Sequence, residues 1–168
     1  MKSPDRTNAK RGRRCRIAVE GASPARADVS KRLAARAAAY FAERASARSK
    51  TAFRDVTVVI QRDAESAAAH LAIMGVAGAT DVITQRYEPI PPEPAGVYGE
   101  LYVNADRAVA AAPSRRGWSP AKEFLLYVAH GMDHLSGADD KTPRERMAMR
   151  RRELGWLRGF LETEASAQ

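Results

Sequence analysis

Two signals near the end of the chain restrict its fold more than any others. Ser119-Pro120 places a capping hydroxyl just before a proline. Thr142-Pro143-Arg144-Glu145 repeats the arrangement and adds a glutamate three residues after the cap. A cap oxygen satisfies free N–H groups of a first helical turn, and proline in that turn gives up an N–H that has no helical partner anyway. The first of these helices is expected to run to about Leu135 and stop at Gly137, and the second to about Leu161. The last third of the chain is therefore two helices joined by a short turn.

Upstream the pattern alternates. Arg16–Glu20, the β-branched run Val56–Ile60, Thr80–Gln85 and Glu100–Val103 read as strands. Between them, Asp28 or Ser30 can cap a helix to about Ala45, with Leu33, Ala37, Tyr40 and Phe41 on one face. Asp63 caps a second helix to about Met74, broken by Gly75 and Gly78. Asn104 caps a short third helix that Pro113 ends. The segment from Pro89 to Pro94, with four prolines, fits neither a helix nor a central strand and is expected to be a loop. Interleaved strands followed by two final helices predict a single α+β domain, a four-stranded sheet packed with about five helices. Its expected bounds are 15–162, between a disordered basic arm at 1–14 and a disordered tail at 163–168.

Such a chain, with 168 residues of which 45% are hydrophobic, is long enough to bury roughly 70% of its unfolded surface. It needs no disulfide framework, and with Cys15 as its one cysteine it has none. The longest nearly apolar stretch, Ala67–Ala79, is interrupted by His70 and two glycines and falls short of the ~20 residues of a spanning helix. No apolar segment follows the N-terminal charges, so a secretory signal is not expected. These features predict a soluble protein of a reducing compartment, the cytoplasm, with no membrane partner.

The formal net charge is +8 and the pI about 10.1. Much of the excess lies in the first sixteen residues, where Lys2, Arg6, Lys10, Arg11, Arg13, Arg14 and Arg16 face only Asp5. A second cluster comprises Lys141, Arg144, Arg146, Arg150, Arg151 and Arg152. Basic clusters gain affinity for nucleic acid by displacing phosphate counterions. A solubilising tail plus a solvated helix face would carry the same charges.

The chemistry concentrates in His130-Gly131-Met132-Asp133-His134. Four helical residues advance about 6 Å and return to the same face, so two imidazoles at this spacing can chelate one cation. Gly137 lets the chain leave the helix and turn back, and Asp140 is placed to supply a third ligand. Two imidazoles and a carboxylate leave a position open, as catalytic metal sites do. The zinc-protease pattern H-E-x-x-H has its general base directly after the first histidine. Here that residue is Gly131, which weakens a peptidase reading.

These residues resemble the YbeY family of rRNA-maturation endoribonucleases. The family signature H-G-x-x-H-x-x-G-x-D-H stands here as His130-Gly131-Met132-Asp133-His134-Leu135-Ser136-Gly137-Ala138-Asp139-Asp140, with aspartate at the third metal-histidine position. Thr80-Asp81-Val82-Ile83-Thr84 is similar to the family's T-[DN]-V-[LI]-[ST] strand, with Gln85 in place of phenylalanine. Gly99-Glu100-Leu101 through Ala108 is similar to its next strand and helix. The similarity covers roughly residues 16–160.

The resemblance implies a mixed sheet, a zincin-like metal site on a helix, and a metal-dependent, single-strand-specific endoribonuclease. Such an enzyme acts on the 3′ end of small-subunit rRNA and in ribosome quality control. His130, His134 and Asp140 would hold one ion, zinc by family habit; the harder carboxylate would also suit iron or manganese. Asp139 is a candidate second carboxylate that orients a histidine, and since the assignment rests on the family's spacing Asp139 and Asp140 could exchange roles. Asp133 replaces a usually apolar residue and is expected either at the site edge or behind its ligands, or in solvent. The family often carries an arginine where this chain has Met74, with Arg86 a possible substitute. Thr84, Arg86, His70, Arg115 and Arg116 are candidate RNA contacts, although for His70 a simple hydrogen-bonded surface role is the plainer expectation. Trp118 and Trp156 are expected to pack rather than stack on bases. The alternatives are a ribosome-assembly or RNA-binding factor with a structural metal, and a metallopeptidase-like hydrolase.

Overall fold

The computed structural model describes residues 14–167. The expected basic arm lies, apart from Arg14, outside the described residues. Four strands, β1 (Arg16–Gly21), β2 (Phe53–Gln61), β3 (Val82–Tyr87) and β4 (Val97–Asn104), form one sheet in the order β1-β2-β4-β3. β1, β2 and β4 run parallel, and β3 closes the edge antiparallel to β4, from Val82 opposite Val103 to Tyr87 opposite Tyr98. The helices are α1 (Lys31–Ser49), α2 (Asp63–Met74), α3 (Ala105–Ala111), α4 (Pro120–Leu135) and α5 (Pro143–Ser166). The α+β class, the mixed four-stranded sheet and the five helices are as the sequence led us to expect.

The alternation of β2 and β4 sorts their residues by face. Val56, Val58 and Ile60, with Val97, Leu101 and Val103, are buried beneath the helices. Across them lies α4, buried nearly all round; Phe124 to Ala129, Met132 and Leu135 are within the core. α1, α3 and α5 pack around α4. α1 brings a stripe of small residues, Ala34, Ala37, Ala38, Ala42 and Ala45, that permits close approach, and Phe41 fills the gap against Tyr40 and Phe160. Trp118 and Trp156 are partly buried against the same core.

Several element ends differ from the expected ones for visible reasons. Asp63 is the first residue of α2 rather than its cap, because its carboxylate accepts from Asn104 Nδ2 at 2.9 Å. Asn104 is fully buried and also caps α3 through Arg107 N–H, at 3.1 Å. Thr80 and Asp81 precede β3: Thr80 exchanges hydrogen bonds with Ser66, Asp81 Oδ1 accepts from Val82 N–H, and the Asp81 carbonyl accepts from Asn104 N–H at the end of β4. At the other end, α5 continues through residues 163–166, where a tail was expected. An ion pair from Arg36 of α1 to Glu164 fastens this last turn.

Candidate metal centre

α4 carries His130 and His134 at its C-terminal end, one turn apart. Between them, Gly131 lies in close contact with the sheet. A Cβ there would stand 2.7 Å from Leu101 Cδ2. The residue that would be the general base in a zinc protease therefore faces the packed sheet, with no room for a glutamate. α4 ends at Leu135 with Ser136 as its cap, and Gly137, at φ +90°, turns the chain back. Asp140 arrives on this return.

The imidazole Nε2 atoms of His130 and His134 lie 3.1 Å apart, and Asp140 Oδ2 is 4.0 Å and 3.8 Å from them. The structure thus brings together the three residues that the sequence put forward, in a group that could hold a metal ion. Partners behind the rings fix their orientation. His134 Nδ1–H donates to the carbonyl of Ala138 at 3.0 Å. His130 Nδ1–H donates to Glu153 Oε1 at 2.8 Å. A carbonyl can only accept, so His134 keeps its hydrogen on Nδ1 and presents a lone pair at Nε2; the carboxylate fixes His130 the same way. Two lone pairs facing each other at 3.1 Å repel unless a cation or a shared proton lies between them. The spacing is close to the ~3.3 Å kept by two nitrogens each ~2.0–2.1 Å from a tetrahedral ion. This donor set fits a divalent cation.

Burial alone would lower the basicity of His130, but the hydrogen bond and charge of Glu153, with Asp81 and Asp140 adding, raise it above its ordinary value. Glu153 is only 2% exposed. It was not among the residues read from the sequence. It lies on α5, 23 positions from His130, inside a helix whose surrounding arginines disguise it as surface. The only hint was an acidic residue on the helix after the motif.

Two other residues are placed differently from expectation. Asp139, the expected histidine-orienting carboxylate, pairs with Lys141 at 2.8 Å and accepts from Asp140 N–H. It touches neither histidine. Asp133 is neither at the site edge nor in solvent: it is fully buried. Its Oδ2 accepts from Arg152 Nε at 2.8 Å and Nη2 at 2.6 Å, and its Oδ1 lies 3.2 Å from Arg48 Nε. One carboxylate thus ties α4 to both α1 and α5. Helical spacing placed Asp133 one turn from His130 but could not show that two arginines from other helices converge on it.

Two clefts flank the histidines. One, of about 350 Å³, runs past His130 and Asp140 between α4 and α5 and is walled by Arg115, Arg146 and Arg150 among others. The other, of about 360 Å³, lies between α4, α2 and β3 and is lined by His70, Met74, Val82, Ile83, Thr84 and Arg86 with both histidines. Of the candidate RNA contacts, His70, Thr84 and Arg86 therefore share the second cleft and Arg115 lies in the first. Arg116 is exposed and lines neither. His70 Nδ1–H donates to Gly78 O at 2.8 Å, and Arg86 Nη1 donates to Leu135 O at 3.2 Å. Trp118 donates to Glu123 at 2.6 Å, under the Arg115 guanidinium. Among the described residues, no helix is long and apolar enough to cross a membrane.

Sheet and site together define an α+β protein with a solvent-open centre of two imidazoles on a core helix and a carboxylate on the loop that follows it. The family model described as Endoribonuclease YbeY matches residues 22–160, and the chain belongs to this family. An Endoribonuclease YbeY of Rhodopirellula baltica is 44% identical over 81 residues, covering 47% of this chain and 40% of that protein. One from Deinococcus radiodurans is 38% identical over 87 residues, covering 51% and 56%. The matched stretch spans about half the length of these relatives. The solution structure of TM1509 from Thermotoga maritima shares the fold, with a TM-score of 0.55 at 19% identity, over 90% of this chain and 95% of that one.

Proposed function

We propose that this protein is a metal-dependent endoribonuclease that cuts single-stranded RNA, and that its substrate is the 3′ end of small-subunit rRNA, during maturation and quality control of the ribosome in the cytoplasm. The observation that carries the reading is the convergence of His130 Nε2, His134 Nε2 and Asp140 Oδ2 at the meeting point of two open clefts. Membership of a family described as endoribonucleases supports RNA as the substrate.

His130 and His134 would hold the ion with Asp140, zinc in the first instance and iron or manganese as alternatives given the carboxylate. When bound, the ion supplies positive charge that polarises a phosphoryl oxygen and acidifies water. The protein's own contribution is positional. Glu153 and the Ala138 carbonyl keep both rings in one tautomer with Nε2 forward, so no reorganisation is needed when the ion binds. The arginines of the first cleft, with Arg86 of the second, would retain the strand through its phosphates, without reading sequence.

A second reading, an RNA-binding assembly factor with a structural metal, draws on one observation. Met74 is 57% exposed and lines the second cleft with a neutral side chain at the position where the family resemblance implies an arginine. Both readings are tested by incubating protein of known metal content with a single-stranded RNA carrying a small-subunit rRNA 3′ end. Wild type should cleave and His134→Ala should not. Equal cleavage by both would sink the assignment. Binding without cleavage by metal-loaded wild type would leave the assembly-factor reading.

A further inference from the structure

The two clefts differ in how their cations are engaged. In the second cleft, Arg86 is tied to the Leu135 carbonyl at 3.2 Å. In the first, Arg115 lies 3.2 Å from Glu123 and stacks over Trp118, and Arg146 Nη1 donates to the carbonyls of Asp140 at 2.9 Å and Lys141 at 3.1 Å. Arg150 is the exception. It is half-buried in the cleft wall, and among the described residues it has no ion pair and no hydrogen bond. Four carboxylates line this cleft and each is engaged elsewhere: Glu123 with Arg115 and Trp118, Glu153 with His130, Asp81 with Thr80 and Val82, and Asp140 beside the two histidines.

An arginine in this position has lost part of its hydration without gaining a partner. Burial, with the repulsion of Arg115, lowers the basicity of its guanidinium accordingly. Its placement gives this cost a use. On α5, Arg146, Arg150 and Glu153 recur at helical spacing, so one face carries the arginine that pins the Asp140 loop, the free guanidinium, and the carboxylate that orients His130. A planar guanidinium offers paired N–H donors that match two oxygens of a phosphodiester.

We propose that Arg150 binds a phosphodiester group of the RNA strand, holding it in the first cleft beside His130 and Asp140. This rests on the endoribonuclease reading and names the residue by which that site would grip its substrate. Among the described residues Arg150 makes no ion pair and no hydrogen bond that its removal would break, so its loss should change substrate binding and leave the fold intact.

The test compares wild type, Arg150→Met, Arg150→Lys and Arg151→Met. Arg151 is exposed on the same helix, and its loss removes the same net charge without touching the cleft. Binding of a fluorescent single-stranded RNA is followed by anisotropy on chelator-treated protein across a salt series, and cleavage is measured separately with metal restored. R150M should weaken binding about tenfold, a loss expected of one charge-assisted phosphate contact, and should lower the salt slope by about 0.7. R151M should weaken it less than about twofold with no change in slope. R150K, with a charge but no paired donors, should keep the slope and fall between. The unfolding midpoint of R150M should not fall. If R150M and R151M match in affinity, slope and cleavage while wild type cleaves, Arg150 does not hold the phosphate and only this proposal fails. If wild type neither binds nor cleaves RNA, the endoribonuclease reading fails and takes this proposal with it.

Discussion

Removing the carboxylate behind His130 should weaken the metal site without dismantling the fold. Glu153 Oε1 accepts the His130 Nδ1 hydrogen at 2.8 Å and is 2% exposed, so no water can readily replace it. It acts in two ways: it keeps the ring turned so that Nε2 faces His134, and its charge makes that nitrogen a stronger donor to a cation. Loss of such partners typically costs ~10–100-fold in metal affinity, or about 1.4–2.8 kcal/mol. Glu153→Ala removes both effects and should fall in this range. Glu153→Gln leaves an amide oxygen that can still accept the Nδ1 hydrogen, so only the charge is lost, and about 3–10-fold is expected. The assay is competition for zinc against a chromophoric chelator at pH 7.5, with circular dichroism confirming that each variant is folded. If folded Glu153→Ala binds zinc within twofold of wild type, the His130–Glu153 bond does not tune the site and the reasoning fails.

Three further outcomes are expected. Asp133→Ala would leave Arg48 and Arg152 without their shared anion; breaking a buried pair costs ~3–5 kcal/mol, but these side chains are about a third exposed and can partly rehydrate, so about 2–3 kcal/mol is expected in urea unfolding, and a loss below about 0.5 kcal/mol would show that the pairing adds nothing. Gly131→Ala should lower the thermal midpoint, since overpacking against Leu101 at ~1–3 kcal/mol exceeds the ~1 kcal/mol that alanine gains in helix propensity; a raised midpoint would contradict the close contact of α4 with β4. In metal-free protein, burial lowers the His130 basicity, but Glu153 together with Asp81 and Asp140 offsets it, so the folded state binds this proton more tightly than the unfolded chain. The resulting stability is complete below the ordinary value of 6.5 and is lost as pH rises through the folded value; the wild-type advantage over Glu153→Gln should therefore shrink with rising pH, and an advantage that grows would refute the sign.

The helical pair at the end of the chain was legible because its signals are local. Ser119 accepts from Lys122 N–H and Thr142 from Glu145 N–H, as short-range capping requires. The β-branched alternation of β2 was legible for the same reason, since side-chain period follows from backbone geometry alone. His130 and His134 come together because four residues make about one turn of any helix. Asp140 was within reach of the sequence because Gly137 reverses the chain only three residues earlier.

What lay beyond the sequence depends on contacts between distant segments. Asp133, charged and one turn from a candidate ligand, reads as a surface or site residue; only the convergence of Arg48 from α1 and Arg152 from α5 makes its full burial tolerable. Glu153 and Arg150 sit in a run of α5 that reads as a solvated charged face. The packing of α5 across α4 buries the first against His130 and leaves the second half-buried in the cleft wall, without a partner among the described residues. Local geometry determined the two helices and the histidine pair, since neighbours in sequence are neighbours in space whatever the fold. The partner of each buried charge was decided only when helices far apart in the chain came to lie side by side.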